Sequence, residues 1–114
     1  MTPRKQLEYA AKAIGLPLHP GGIENSWRRG AEGVLLDDGS TVWNPLTSQA
    51  DSDRMACDLE IAIRYYDDYV SANTRKVERI FTASVGHDNT IEGRRRAVRE
   101  ARMAVAVEIG KGMK

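Results

Sequence analysis

The chain has 114 residues, 41% of them hydrophobic and 29% charged, with a formal net charge of +1. These are the figures of one ordinary globular domain, long enough to bury about two thirds of its unfolded surface. They exclude a membrane-spanning protein, whose apolar runs would need ~20 residues, and a disulfide scaffold, since Cys57 is the single cysteine. No charged start leads into an apolar block, so no secretion signal is predicted and a cytoplasmic protein is expected. With only 6% aromatic residues, the core must draw on Leu, Ile, Val, Met and Ala.

Thr2 and Pro3 open the first predicted helix as cap and first helical residue. Leu7, Ala10, Ala11 and Ile14 share one face, and Gly15 followed by Pro17 ends it. Leu16 to Arg29, with Pro20, Gly21 and Gly22, reads as a surface loop carrying His19 and Trp27. Val34 to Leu36 and Thr41 to Trp43 flank Asp37-Asp38-Gly39-Ser40 and form a hairpin candidate. Pro45 fixes its own φ, donates no amide and pushes Asn44 out of the α region, so the strand stops near Trp43. Thr47 or Ser48 then caps a second helix, with Ser48 and Asp51 as a variant capping box. Asp51 and Asp53 favour its positive end, and Met55, Ala56, Leu59 and Ile63 give an apolar stripe.

Ile61, Ile63 and Tyr65 alternate with Ala62, Arg64 and Tyr66 as a strand does. Val77 to Ala83 alternates in the same way and is expected to pair with it across a loop near Ser71 to Thr74, until Val85 to Asp88 breaks it. Asn89 with Glu92 is the candidate capping box of a last helix reaching about Ile109 before Gly110. Its expected buried stripe is Ile91, Val98, Ala101, Val105 and Ile109. The predicted fold is therefore α+β, in the order α-β-β-α-β-β-α: three helices and one antiparallel sheet of about four strands, made of two hairpin-like pairs, in a single domain over residues 1–114.

The run Trp43-Asn44-Pro45-Leu46-Thr47, then a short polar and acidic patch and a small amphipathic helix, resembles the phage ABA-sandwich domain family. Ala97, Ala101, Ala104 and Ala106 in the terminal helix are similar to that family's Ala-rich ending, and the order of elements agrees from about Ala10 onward. Where members tend to carry DDGDAL after the corner, this chain has Ser48-Gln49-Ala50-Asp51-Ser52-Asp53. The resemblance implies a small phage or prophage protein and brings no established catalytic activity.

Among chemistry-bearing residues, Arg95, Arg99 and Arg102 follow i, i+4, i+7 spacing with Arg96 nearby, a ridge able to track a phosphate backbone. From Thr90 to Lys114 there are seven basic and three acidic residues, a net of +4. Against nucleic-acid binding stand the absence of interleaved aromatics and a solvated helix face as the plain alternative. From Asp37 to Asp68 there are eight acidic residues against Arg54 and Arg64, a net of −6, which with the basic helix allows self-association into a homo-oligomer. Asn44, Asp51 and Asp53 match no calcium-loop spacing, and capping accounts for Asp51. His87 beside Asp88 lacks a positioned partner. Cys57 is expected to be a buried, inert thiol, and no nucleophile, phosphate-loop, dinucleotide or zinc signature is present, so no cofactor is expected.

Trp43 is the expected core anchor. Tyr65 and Tyr66, adjacent in a strand, put one ring on each face. An exposed Tyr66 beside Trp27, Arg28 and Arg29 would suit a protein partner, since these residue types dominate interface hot spots. The expectation is a non-enzymatic phage accessory protein that binds a host protein in a host-takeover or counter-defence role. The alternatives are a nucleic-acid-associated protein using Arg95, Arg96, Arg99 and Arg102, or capture of a small anionic ligand such as a nucleotide.

Overall fold

A computed structural model describes residues 2–16, 27–28, 33–36, 41–74 and 81–113, with the backbone alone at Trp27, Arg28 and Phe81. Helix α1 spans Pro3–Ile14, with the Thr2 hydroxyl accepting from the Lys5 amide at 3.2 Å. At its far end Gly15 takes φ 65°, which costs a residue without a Cβ nothing, and Leu16 N–H reaches back to the Ala11 carbonyl at 3.0 Å. Leu7, Ala10 and Ala11 are buried, as the helical spacing predicts.

Among the described residues, two antiparallel sheets follow. The first joins β1 (Trp27–Arg28), β2 (Gly33–Leu35) and β3 (Val42–Trp43) in the order β1-β2-β3, with Val34 between Trp27 and Trp43. The expected hairpin is thus formed, while its turn, residues 37–40, and His19 lie outside the described residues. The second joins β4 (Ala62–Tyr65), β5 (Tyr69–Thr74) and β6 (Phe81–Gly86) in the order β4-β5-β6. Between the two groups runs α2 (Gln49–Leu59), and α3 (Ile91–Lys111) closes the chain.

The α+β class and, among the described residues, the order helix, strands, helix, strands, helix are as expected. The strands divide differently: among the described residues each of two sheets has three, where one sheet of about four was expected. The segment Tyr69–Thr74, whose last four residues are expected as a loop, is the central strand of the second sheet. Val70, Ala72 and Thr74 alternate inward and are fully covered, while Ser71 and Asn73, which look like loop formers, occupy the outer face. Trp27–Arg28 is too short to show periodicity and owes its extended form to its pairing with β2. Residues 75–80, the start of the expected second strand, are outside the described set, and the strand runs on through Val85 to Gly86 instead of breaking there.

Helix α3 packs on β5 and β6 with one side and on α1 with another, and α2 leans against it. It is therefore buried on several sides beyond its second turn, from Ala97 and Val98 through Ala101, Met103, Val105, Ala106, Val107 and Ile109. Gly110, expected to stop the helix, instead continues it: a methyl there would overlap the Tyr9 carbonyl of α1. The helix ends one residue later, at Lys111, with Lys12 of α1 donating to the Met113 carbonyl at 2.8 Å. Its cap is Thr90, whose hydroxyl accepts from Gly93 N–H at 2.9 Å, rather than Asn89, which lies outside the helix at φ 66°. Asp88 accepts from the hydroxyl and amide of Thr90, bonds that hold its carboxyl below the usual range.

Helix α2 ends without glycine. Glu60 takes φ 54°, and Ile61 N–H bonds the Ala56 carbonyl at 2.8 Å with both side chains buried. The buried Thr74 hydroxyl donates to the Leu59 carbonyl at 2.7 Å, tying this end to β5.

In urea unfolding, Gly110→Ala is expected to cost about 1–3 kcal/mol because the helices must separate, whereas Gly112→Ala, which meets only ordinary contacts, should be near neutral. Glu60→Gly is expected to add about 1 kcal/mol by relieving the left-handed backbone; an unchanged or lowered midpoint would contradict that account.

Candidate functional site

The Trp43–Thr47 corner is built as structure. Trp43, Asn44 and Pro45 are buried. The Asn44 carbonyl accepts from Thr47 N–H at 3.2 Å and Ser48 N–H at 2.9 Å, and its side-chain oxygen accepts from Leu46 N–H at 3.0 Å. Ser48, not Thr47, caps α2, accepting from Asp51 N–H at 3.2 Å. The Asp51 carboxylate reaches past the cap to Asn44 N–H at 2.9 Å, so the capping box closes on the corner itself. Asp51 is thus committed to backbone, and among the described residues no three His, Cys, Asp or Glu side chains gather as a metal would require.

The four arginines of the ridge divide in two. Arg99 and Arg102 are 11% and 15% exposed and hold α3 to the start of α2. Arg99 donates to the Leu46 carbonyl at 3.0 Å and to the Gln49 side-chain oxygen at 3.2 Å, with Glu92 at 3.4 Å. Arg102 donates to Asp53 at 2.6 Å and to the buried Ser52 hydroxyl at 3.3 Å. Arg96 is 72% exposed and paired with Glu100, and Arg95 is exposed. Only part of the ridge faces solvent.

The remaining candidates scatter. Cys57, expected to be buried, is exposed on α2, because the apolar stripe of that helix falls on Met55, Ala56 and Leu59 instead. The His87 Nδ1 accepts from Asn89 N–H at 3.0 Å, a local turn bond. Trp27 and Arg28 belong to the edge strand of the first sheet, and Arg29 lies outside the described residues.

What the fold does assemble is at the other end of the second sheet. Asp67 and Asp68 turn the chain between β4 and β5, with Tyr66 N–H bonded to the Tyr69 carbonyl at 2.9 Å. This sets the Tyr66 and Tyr69 rings in a parallel stack, centroids 4.4 Å apart and planes 6° from parallel, and both remain exposed. Tyr65 beside them is 61% exposed. The β6–α3 connection returns to this same end, since Gly86 pairs with Tyr69 and His87 N–H bonds the Asp68 carbonyl at 2.9 Å. The first turn of α3 therefore stands next to the tyrosines. Tyr65, Tyr66, Asp67, Asn89 and Arg94 line a shallow hollow of about 520 Å³ there, and Arg94 donates to the Asn89 side chain at 2.8 Å. A second hollow, about 260 Å³, shares Tyr65 and Arg94 and adds Ile91, Arg95 and Val98. Ile91, expected in the buried stripe, is 68% exposed because the first turn of α3 projects beyond its cover.

Sequence reasoning named Tyr66 but placed its neighbours elsewhere. The signal for the true arrangement is Tyr66-Asp67-Asp68-Tyr69 itself, two turn residues between aromatics, which only becomes legible once Tyr69–Thr74 is read as a strand.

These features define a small α+β protein organised on a central helix, with an exposed face of tyrosine and arginine at one end. Compared with models of protein families, with curated proteins and with solved structures, the chain matches none of them. Among the described residues no helix is long and apolar enough to cross a membrane.

The Arg102 guanidinium bonded to Asp53 holds its carboxyl below the usual range, against a small opposing effect of burial and with help from the Gln49 amide. Its folded pKa lies below the unfolded one, so the stabilisation is complete above the unfolded value and is lost as pH falls through the folded one. Asp53→Asn is expected to cost no more than about 1 kcal/mol at neutral pH, because the carboxylate is largely exposed. Urea unfolding of both proteins across pH should show that difference fading below about pH 4.

Proposed function

We propose that this chain is a non-enzymatic binding module that engages a protein partner through Tyr65, Tyr66 and Tyr69 at the β4–β5 end of the second sheet and the adjoining Arg94 and Arg95. The observation that carries it is the Tyr66–Tyr69 stack, held in the open by a tight turn. Stacked rings that are already ordered lose little conformational freedom on contact, and Tyr and Arg are the residue types that dominate interface energetics. That the apolar Ile91 is exposed on the same face supports the reading.

A nucleic-acid role resting on the α3 ridge draws less support, because Arg99 and Arg102 are mostly buried and bonded to α2 and its corner. A membership in the phage ABA-sandwich family, and with it a host-directed accessory role in the bacterial cytoplasm, rests on the Trp43–Thr47 corner and the order of elements.

The test is capture from a bacterial lysate by the tagged full chain, with nuclease treatment and a high-salt wash. One protein is expected to survive both with the wild type and to be lost with Tyr66→Ala/Tyr69→Ala, whose thermal unfolding should match the wild type. Retention of nucleic acid instead, released by salt, would overturn the reading.

A further inference from the structure

Granting the protein-binding reading of this face, we infer that its partner presents an acidic, aliphatic peptide segment to the groove between β4 and the first two turns of α3. On α3, Ile91, Arg94, Arg95 and Val98 recur at helical spacing and form one stripe. Val98 is buried and forms the floor, while Ile91 and Tyr65 stand exposed beside it as an apolar ledge.

The charges around that ledge are unbalanced. Among the described residues, three guanidinium groups, Arg94, Arg95 and Arg102, line the groove against the single carboxylate of Asp53, and Arg102 already takes that carboxylate at 2.6 Å. Among the described residues, Arg94 bonds only the neutral Asn89 side chain, and Arg95 has neither a hydrogen-bond nor an ion-pair partner. Two unneutralised arginines therefore flank exposed aliphatic and aromatic surface. Asp67 lines the adjoining hollow beside Tyr66, so carboxylates of an incoming chain are favoured on the Arg95 side.

A segment with carboxylates for Arg94 and Arg95 and an aliphatic side chain for the Ile91–Tyr65 ledge satisfies both features at once. A polyphosphate chain would satisfy the arginines alone and leave Ile91 in water. A basic segment would be repelled. Complementary charge at such a rim governs encounter and discrimination between partners.

The test uses the full chain and fluorescence anisotropy with three labelled probes: a short peptide of alternating Glu and Leu, its Lys–Leu counterpart, and an oligothymidylate. Saturable binding of the Glu–Leu peptide is expected, with little binding of the others. Arg94→Glu/Arg95→Glu should weaken the Glu–Leu peptide by at least about ten-fold and shift preference to the Lys–Leu peptide. Ile91→Ser, which leaves every charge in place, should also weaken it. Equal binding of the two peptides, preference for the oligothymidylate, or no binding of the Glu–Leu peptide would overturn the inference. If that happens while lysate capture still depends on Tyr66 and Tyr69, the binding module stands and the acidic-peptide class falls.

Discussion

The constraint on which the rest depends is that α3 must be covered on more than one side. It supplies the surface on which β5 and β6 lie, and it receives α1 on another face. A helix in that position needs small residues where neighbours approach closely and apolar ones elsewhere. Ala97, Ala101 and Ala106 are fully buried, and Gly110 lets the α1 backbone at Tyr9 come nearer than any side chain would permit. The apolar stripes of α1 and α2 are ordinary by comparison, because each is buried chiefly from one side.

The second organising feature is polar. Arg99 and Arg102 cross from α3 to the turn and first residues of α2, where Leu46, Gln49, Ser52 and Asp53 receive them. Together with the Asp51 bond to Asn44, they lock the corner, the cap and the central helix into one unit. This changes how the basic composition of the last helix is understood. A count of charges treats all arginines alike, but the two that are mostly buried serve internal geometry, and those left outside are concentrated near the first turns. Spacing along a helix predicts which residues share a face; it does not say whether that face meets water or another helix.

The same distinction governs the candidate site. That one ring of Tyr65 and Tyr66 would be exposed was legible because adjacent strand residues face opposite ways. Both are exposed, since Tyr66 lies past the end of β4. Its stacking partner Tyr69 was hidden by the reading of residues 71–74 as a loop, since Ser71 and Asn73 are common in turns and only pairing with β4 and β6 makes them strand residues. Arg94 and Ile91 were hidden for another reason. They come to the tyrosines through the return of the chain after Gly86, a contact between residues more than twenty positions apart that no local pattern records.

Local chemistry determined much of the architecture on its own. The Thr2 cap, a second cap at Thr47 or Ser48, the left-handed Gly15, the stop at Pro45, the buried stripes of α1 and of most of α3, and the α+β order follow from hydrogen-bonding capacity, allowed φ and periodicity within a few residues. Tertiary structure decided the remainder: the division into two three-stranded sheets, the strand at Tyr69–Thr74, the passage of α3 through Gly110, the exposure of Cys57 and Ile91, and the partition of the arginines into clamp and surface. Each of these depends on which distant segment supplies hydrogen bonds or removes water at a given residue. That information belongs to the packed molecule and is not carried by any stretch of the chain taken alone.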